Sequence, residues 1–110
     1  MSTKTNYKFG EVYGLLDQIE LGHEKVHVKN IFETDNGGVA VLAFEAGQKL
    51  DTHLAPTEVM VVVMEGEIEF TVDGHPNDLQ AGQFLLLGQD VPHSVYAKTN
   101  AKLLLVKVKA

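Results

Sequence analysis

The stretch EVMVVVMEGEIEFTV, residues 58–72, decides the class of fold because its hydrophobic pattern changes at Gly66. Before this glycine, both faces of a strand are apolar: one face carries Val59, Val61 and Val63, and the other carries Met60, Val62 and Met64. After it, apolar residues alternate with charged or polar ones, so that only one face is apolar. The pattern predicts two consecutive strands with a bulge or bend between them, the first buried on both sides.

Further short apolar runs, separated by turn sequences, lie on either side of this stretch. The runs 26–34 and 39–45 flank DNGG, a turn that favours an antiparallel hairpin. After a turn at Asp73 and Gly74, the segment HPNDLQAG is predicted to be a short connection, and it leads to the strand-like runs QFLLLG, SVYAK and AKLLLVKVKA. About eight short strands predict an all-β domain, either a sandwich or a small barrel. Only EVYGLLDQIE has apolar spacing compatible with a helix, and it fits an irregular arm equally well.

Composition limits the partners and the chemistry. The 110 residues, 45% of them hydrophobic, predict a single domain over residues 1–110, with residues 1–22 as an N-terminal arm. A net charge of -6 with scattered basic residues argues against nucleic acid or an anionic membrane as a partner. The chain has no cysteine, so histidines and carboxylates are the available metal ligands. No run has signal-peptide or membrane-spanning character, which predicts a soluble, cytoplasmic protein.

The doubly apolar strand also predicts an association. A strand that is apolar on both faces in so small a domain needs a cover for its outer side. That cover is either the N-terminal arm or a second copy of the chain, and we expect a homodimer.

Two spaced motifs resemble those of the cupin superfamily. The first is GQKLDTHLAPTEVMVVVMEG, residues 47–66, and the second is GQFLLLGQDVPHSV, residues 82–95. THLAPTEV within the first is similar to a branch of small cupins that carries His-x-Ala-Pro at this place. The resemblance implies a small antiparallel β-barrel of jelly-roll type, whose best-known members hold a divalent metal through three histidines and a glutamate.

The resemblance also implies a ligand set. Carried over by position, it identifies His53, Glu58 and His93 as metal ligands and puts Ala55 where a further histidine is usual. Two imidazoles and one carboxylate can occupy one face of an octahedral ion, and manganese, iron, nickel or zinc would accept them. The alternative is a metal-free pocket in which Glu58 accepts hydrogen bonds from the histidines.

A ligand pocket follows from the same placement. If Glu58 faces the interior, Met60 and Val62 share its face, and together with Phe84 they are predicted to line the pocket for a small organic molecule. Two functions stay open. One is a metal-dependent enzyme, such as an oxygenase or isomerase, and the other is a metal-free binding or sensing module without catalysis.

Overall fold

The computed structural model describes residues 3–110, which form nine β-strands and one short 3-10 helix. The helix is Leu16–Gln18, and the strands are β1 (His27–Thr34), β2 (Gly37–Phe44), β3 (Lys49–His53), β4 (Glu58–Glu65), β5 (Glu67–Val72), β6 (His75–Gln80), β7 (Phe84–Leu87), β8 (His93–Ala97) and β9 (Ala101–Val108). None of the helical structure within residues 3–110 is long and apolar enough to cross a membrane.

The strands form two antiparallel sheets. The five-stranded sheet has the order β1-β2-β9-β4-β7, and the four-stranded sheet has the order β3-β8-β5-β6. The main core lies between them, with Phe44, Val61 and Leu103 from the first sheet and Ile68 and Phe70 from the second almost wholly buried. The predicted all-β jelly-roll fold is confirmed, although the two sheets are not joined into one closed barrel.

Gly66 is the corner between the sheets. β4 ends one residue before it in the five-stranded sheet, and β5 begins one residue after it in the four-stranded sheet. Its φ is +83°, and a Cβ there would collide with the carbonyl oxygen of Asn100. Only glycine meets both requirements without strain, so the predicted bend is confirmed.

Two segments differ from the expectation. The predicted connection HPNDLQAG contains β6, which pairs with β5 through contacts such as Ile68 opposite Leu79. The strand was not predicted because Pro76 has no backbone N–H to donate within a sheet. β6 lies at the edge of its sheet, where this missing donor is tolerated. The helix-compatible segment forms only the three-residue 3-10 turn.

The chain before β1 covers one part of the five-stranded sheet. Ile19 is 6% exposed and packs with Leu21 against Val41 and Ala43, on the side of the sheet away from the main core. The Lys102 ammonium donates to the carbonyl of Leu16 at 2.7 Å and fixes the turn there. The rest of that outer side remains largely uncovered by this segment.

Candidate functional site

A cavity of about 340 Å³ opens between the two sheets. Its wall is mostly apolar, and it is lined by Leu42, Leu50, Leu54, Ala55, Pro56, Val59, Val61, Phe70, Leu87, Val95, Leu103 and Leu105. The polar lining residues are His53, Thr57, His93 and Lys107. Residues 54–57, which connect β3 to β4, carry the chain from one sheet to the other beside the cavity. The backbone N–H of Asp90 donates to the carbonyl of Ala55 at 2.8 Å and ties this connection to the turn before β8.

The pairing of β3 with β8 brings the two predicted histidines together. His53 and His93 are directly opposite each other, so their side chains share one face of the sheet. Their ring centroids are 4.1 Å apart, with 61° between the ring planes. His93 is 7% exposed and stacks on Phe70 at 5.7 Å between centroids, whereas His53 is exposed at the wall of the cavity.

Backbone contacts define which nitrogen of each ring carries hydrogen. His53 Nδ1 lies 2.8 Å from the carbonyl oxygen of Asp51, and His93 Nδ1 lies 2.9 Å from that of Val91. Because a carbonyl oxygen only accepts, each Nδ1 must donate, and Nε2 of a neutral ring is then an acceptor. Burial lowers the pKa of His93, and the nearby His53 lowers it further, against the opposing effect of the bond to Val91. His93 therefore favours the neutral form with Nε2 as acceptor.

Two further polar residues line the cavity: Thr57, in the connection before β4, and Lys107, on β9. Thr57 Oγ1 is buried and has no hydrogen-bond partner within residues 3–110. Lys107 lies opposite Val59 and shares its inward face. No carboxylate in the described part of the chain comes within 4.0 Å of its ammonium group. All three ionisable residues of the lining, His53, His93 and Lys107, are bases.

Glu58 does not face this cavity. It lies opposite Val108 at the start of β4, is exposed, and points to the outer side of the sheet, while Val59 is 6% exposed and lines the cavity. The prediction of an inward Glu58 is therefore wrong. Successive residues of a strand point to opposite faces, and β4 directs its valines inward.

The predicted pocket lining is wrong for the same reason, because alternate residues of a strand lie on the same face. Met60 and Val62 follow Glu58 onto the outer face, and Phe84, opposite Val62, is 58% exposed there. None of these three residues lines the cavity, so the prediction that they do is wrong. The inward residues of the same strands are Val59, Val61, Leu85 and Leu87.

The donor set does not fit the three-ligand metal centre implied by the sequence resemblance. Within residues 3–110, no group of three or more His, Cys, Asp or Glu side chains is placed to hold a metal ion. In the part of the chain that the structure describes, the cavity lining contains two imidazoles and no carboxylate, and Ala55 supplies no side-chain donor atom. The motif spacing led to the wrong orientation of Glu58 because both faces of β4 are apolar, so the sequence pattern alone does not distinguish the inward face.

Comparison with known proteins identifies the family. The sequence profile of the cupin domain matches residues 40–108, which include His53, His93 and strands β3 to β9. The chain belongs to the cupin family. No curated protein matches it significantly.

Several solved structures are similar in fold to most or all of this chain. A conserved protein of unknown function from Streptococcus pyogenes has 25% identity and a TM-score of 0.88, over 100% of this chain and 96% of that one. A cupin 2 conserved barrel domain protein from Leptotrichia buccalis has 33% identity and a TM-score of 0.84, over 88% of this chain and 47% of that one. An RmlC-like cupin from Desulfovibrio desulfuricans has 29% identity and a TM-score of 0.80, over 89% of this chain and 95% of that one. These similarities concern the fold and do not specify a ligand.

Proposed function

We propose that this cupin binds a small, mostly apolar organic molecule in the cavity between its sheets, without a resident metal. The observation that carries the proposal is the cavity itself, about 340 Å³ with an apolar wall and a few converging polar groups. Ligand sites in proteins have this size and this character. The buried Thr57 hydroxyl, which has no hydrogen-bond partner among the described residues, supports it, because such a group is costly unless something bonds to it.

The two histidines give the cavity a polar recognition point. Because Nδ1 of each ring donates to a backbone carbonyl, each ring offers Nε2 as an acceptor when it is neutral. A ligand N–H or O–H group satisfies such an acceptor. Phe70, stacked on His93, holds the buried ring in place.

Indole is a suitable first probe because it is small, neutral and apolar and carries one N–H donor. We expect indole to shift the amide signals of the cavity residues in an NMR titration of chelator-treated protein. Adding manganese, nickel or zinc should leave its affinity unchanged, because among residues 3–110 no complete metal site links the histidines to a carboxylate. Metal-dependent binding, or shifts confined to other surfaces, would contradict the proposal.

A matched pair of substitutions tests the location. Ala55→Phe places a ring in the cavity wall, whereas Ala81→Phe makes the same change at an exposed turn away from the cavity. We expect the first to weaken indole binding strongly and the second to leave it unchanged. Equal effects of the two variants would place the binding site elsewhere.

We further propose that two copies associate through the outer face of the five-stranded sheet. The uncovered part of this face, called the outer patch, comprises Met60, Val62, Phe84, Leu86 and Val106. Leu86 is 71% exposed and Phe84 is 58% exposed on the edge strand β7. The patch continues directly into the apolar surface that Ile19 and Leu21 already cover. A second copy would present an equally apolar, matching surface.

Light scattering coupled to size-exclusion chromatography tests this association. Leu86→Lys should convert a two-chain particle into a single chain, because it places a charge in the contact. Tyr96→Lys, a comparable change on the exposed side of the four-stranded sheet, should leave two chains. A single-chain mass for the unaltered protein at high concentration would refute the proposal.

A further inference from the structure

Within residues 3–110, the ionisable side chains that line the cavity are all basic. The whole chain is acidic, with fifteen Asp and Glu against nine Lys and Arg. Nevertheless the ionisable residues that line the cavity are His53, His93 and Lys107, and no Asp or Glu of the described residues joins them. Lys107 is partly buried at the cavity wall, where it can form a charge-assisted hydrogen bond with an anionic group. The cavity therefore suits an anionic ligand better than a cationic one.

Lys107 is placed to hold that anion. It lies on the inward face of β9, between Val59 on one neighbouring strand and Gly38 on the other. On β2, Gly38 packs closely against β1, because a Cβ there would come within 2.8 Å of the carbonyl oxygen of Phe32. Glu33 and Asp35 line an adjoining cavity that Lys107 and Thr57 also border, but neither carboxylate is within 4.0 Å of the ammonium. The lysine thus has no protein counter-ion in the described part of the chain.

Thr57 provides a second contact on the same side. Lys107 and Thr57 are the two residues that border both cavities, which places them at the same boundary. The buried Thr57 hydroxyl, unpartnered among residues 3–110, can donate to a carboxylate oxygen while Lys107 supplies the charge. Together they can receive both oxygens of one carboxylate.

The histidines lie on the other wall. His53 and His93 belong to the four-stranded sheet, whereas Lys107 belongs to the five-stranded sheet. Their Nε2 atoms accept hydrogen bonds when the rings are neutral, so they select a donor such as a hydroxyl group. The apolar lining between the two walls suits a hydrocarbon body.

We infer that the ligand is a small organic acid with an apolar body and a hydroxyl group, its carboxylate held by Lys107 and Thr57 and its hydroxyl by His53 and His93. This inference rests on the proposed ligand-binding function and specifies the chemical class of the ligand.

Three matched probes test the class. They are 3-(4-hydroxyphenyl)propanoate, its amide, which lacks the charge, and 3-phenylpropanoate, which lacks the hydroxyl. Calorimetric titration of chelator-treated, full-length protein at pH 7.5 should show the hydroxy acid binding about ten-fold or more tighter than the amide, because a hydrogen bond to a charged group is the stronger kind. It should bind about five-fold tighter than 3-phenylpropanoate.

Substitutions assign the contacts. Lys107→Met should abolish the preference for acid over amide, and Lys107→Arg, which keeps the charge, should retain it. Lys109→Met removes the same charge two residues away, at an exposed position that borders only the adjoining cavity, and should preserve the preference. His53→Phe, which keeps a ring at an exposed position, should abolish the preference for the hydroxyl.

The outcomes separate the inference from the function on which it rests. If indole binds but the acid and the amide bind equally, the ligand-binding function stands and the inference is overturned. Equal losses in Lys107→Met and Lys109→Met would also overturn it, because the preference would then come from overall charge. If neither indole nor any of the three probes binds, both proposals fail.

Discussion

The orientation of β4 determines what kind of site this cupin has, and one pair of substitutions tests it. We place the same small polar residue at consecutive positions, Glu58→Ser and Val59→Ser. Val59 is 6% exposed and lines the cavity, so its replacement loses nearly a full valine burial. That loss costs about 1.5–3 kcal/mol, and a buried hydroxyl without a partner adds about 1 kcal/mol or more. Glu58 is exposed on the outer face, where a substitution stays within about 0.5 kcal/mol.

Urea unfolding followed by circular dichroism measures both free energies at equal protein concentration. We expect Val59→Ser to lower the free energy of unfolding by about 3 kcal/mol and to weaken indole binding, and Glu58→Ser to change neither. Equal m-values for the two variants would show that the same unfolding reaction is compared. A costly Glu58→Ser with a mild Val59→Ser would refute the orientation, and with it the argument against a metal-binding carboxylate at this position.

Three further predictions concern the pH, the sheet corner and the metal. Burial lowers the pKa of His93 below its ordinary value of 6.5, so the unfolded chain binds the proton first as the pH falls. The free energy of unfolding should therefore decrease as the pH falls below 6.5, and His93→Phe should flatten this decrease while the exposed His75→Phe leaves it unchanged. Gly66→Ala should lower the free energy of unfolding, measured by urea titration, by about 2 kcal/mol or more, because alanine disfavours the positive φ and its Cβ collides with the backbone. Gly74→Ala should cost less, because Gly74 has a similar φ but open space around it. The double substitution Ala55→His and Val59→Glu adds an imidazole and a carboxylate to a lining that already holds two histidines. We expect the double variant to retain one nickel per chain after dialysis and the unaltered protein to retain none, as measured by elemental analysis.

The fold could be predicted from the sequence because its strands and turns are marked locally. The change of pattern at Gly66 separates β4 from β5, and a glycine with φ of +83° joins the sheets at that point. The histidines could also be predicted, since the structure brings His53 and His93 opposite each other on paired strands. β6 could not, because Pro76 normally argues against a strand and its edge position appears only once the sheet is assembled.

The orientation of Glu58 could not be read from hydrophobicity. Valines occupy one face of β4 and methionines with Val62 the other, so both faces seem equally suited to the core. Tertiary packing determines which face of β4 is buried: the valines Val59, Val61 and Val63 face the main core, and Met60 and Val62 lie on the outer side of the sheet. The sequence did not identify Lys107 for a related reason. Both faces of β9 are apolar, so the sequence pattern does not show that Lys107, near the end of the strand, faces the cavity.

The inward valine changes the electrostatics of the whole site. A carboxylate at the position of Val59 would lie directly opposite Lys107 and could pair with it, or join the histidines around a cation. With valine there, the lining keeps its bases and has no anion of its own. A ligand that brings a negative charge would then be the counter-ion of Lys107. An inward valine at position 59 thus bears on both proposals, because it supplies neither a metal ligand nor a counter-ion for Lys107.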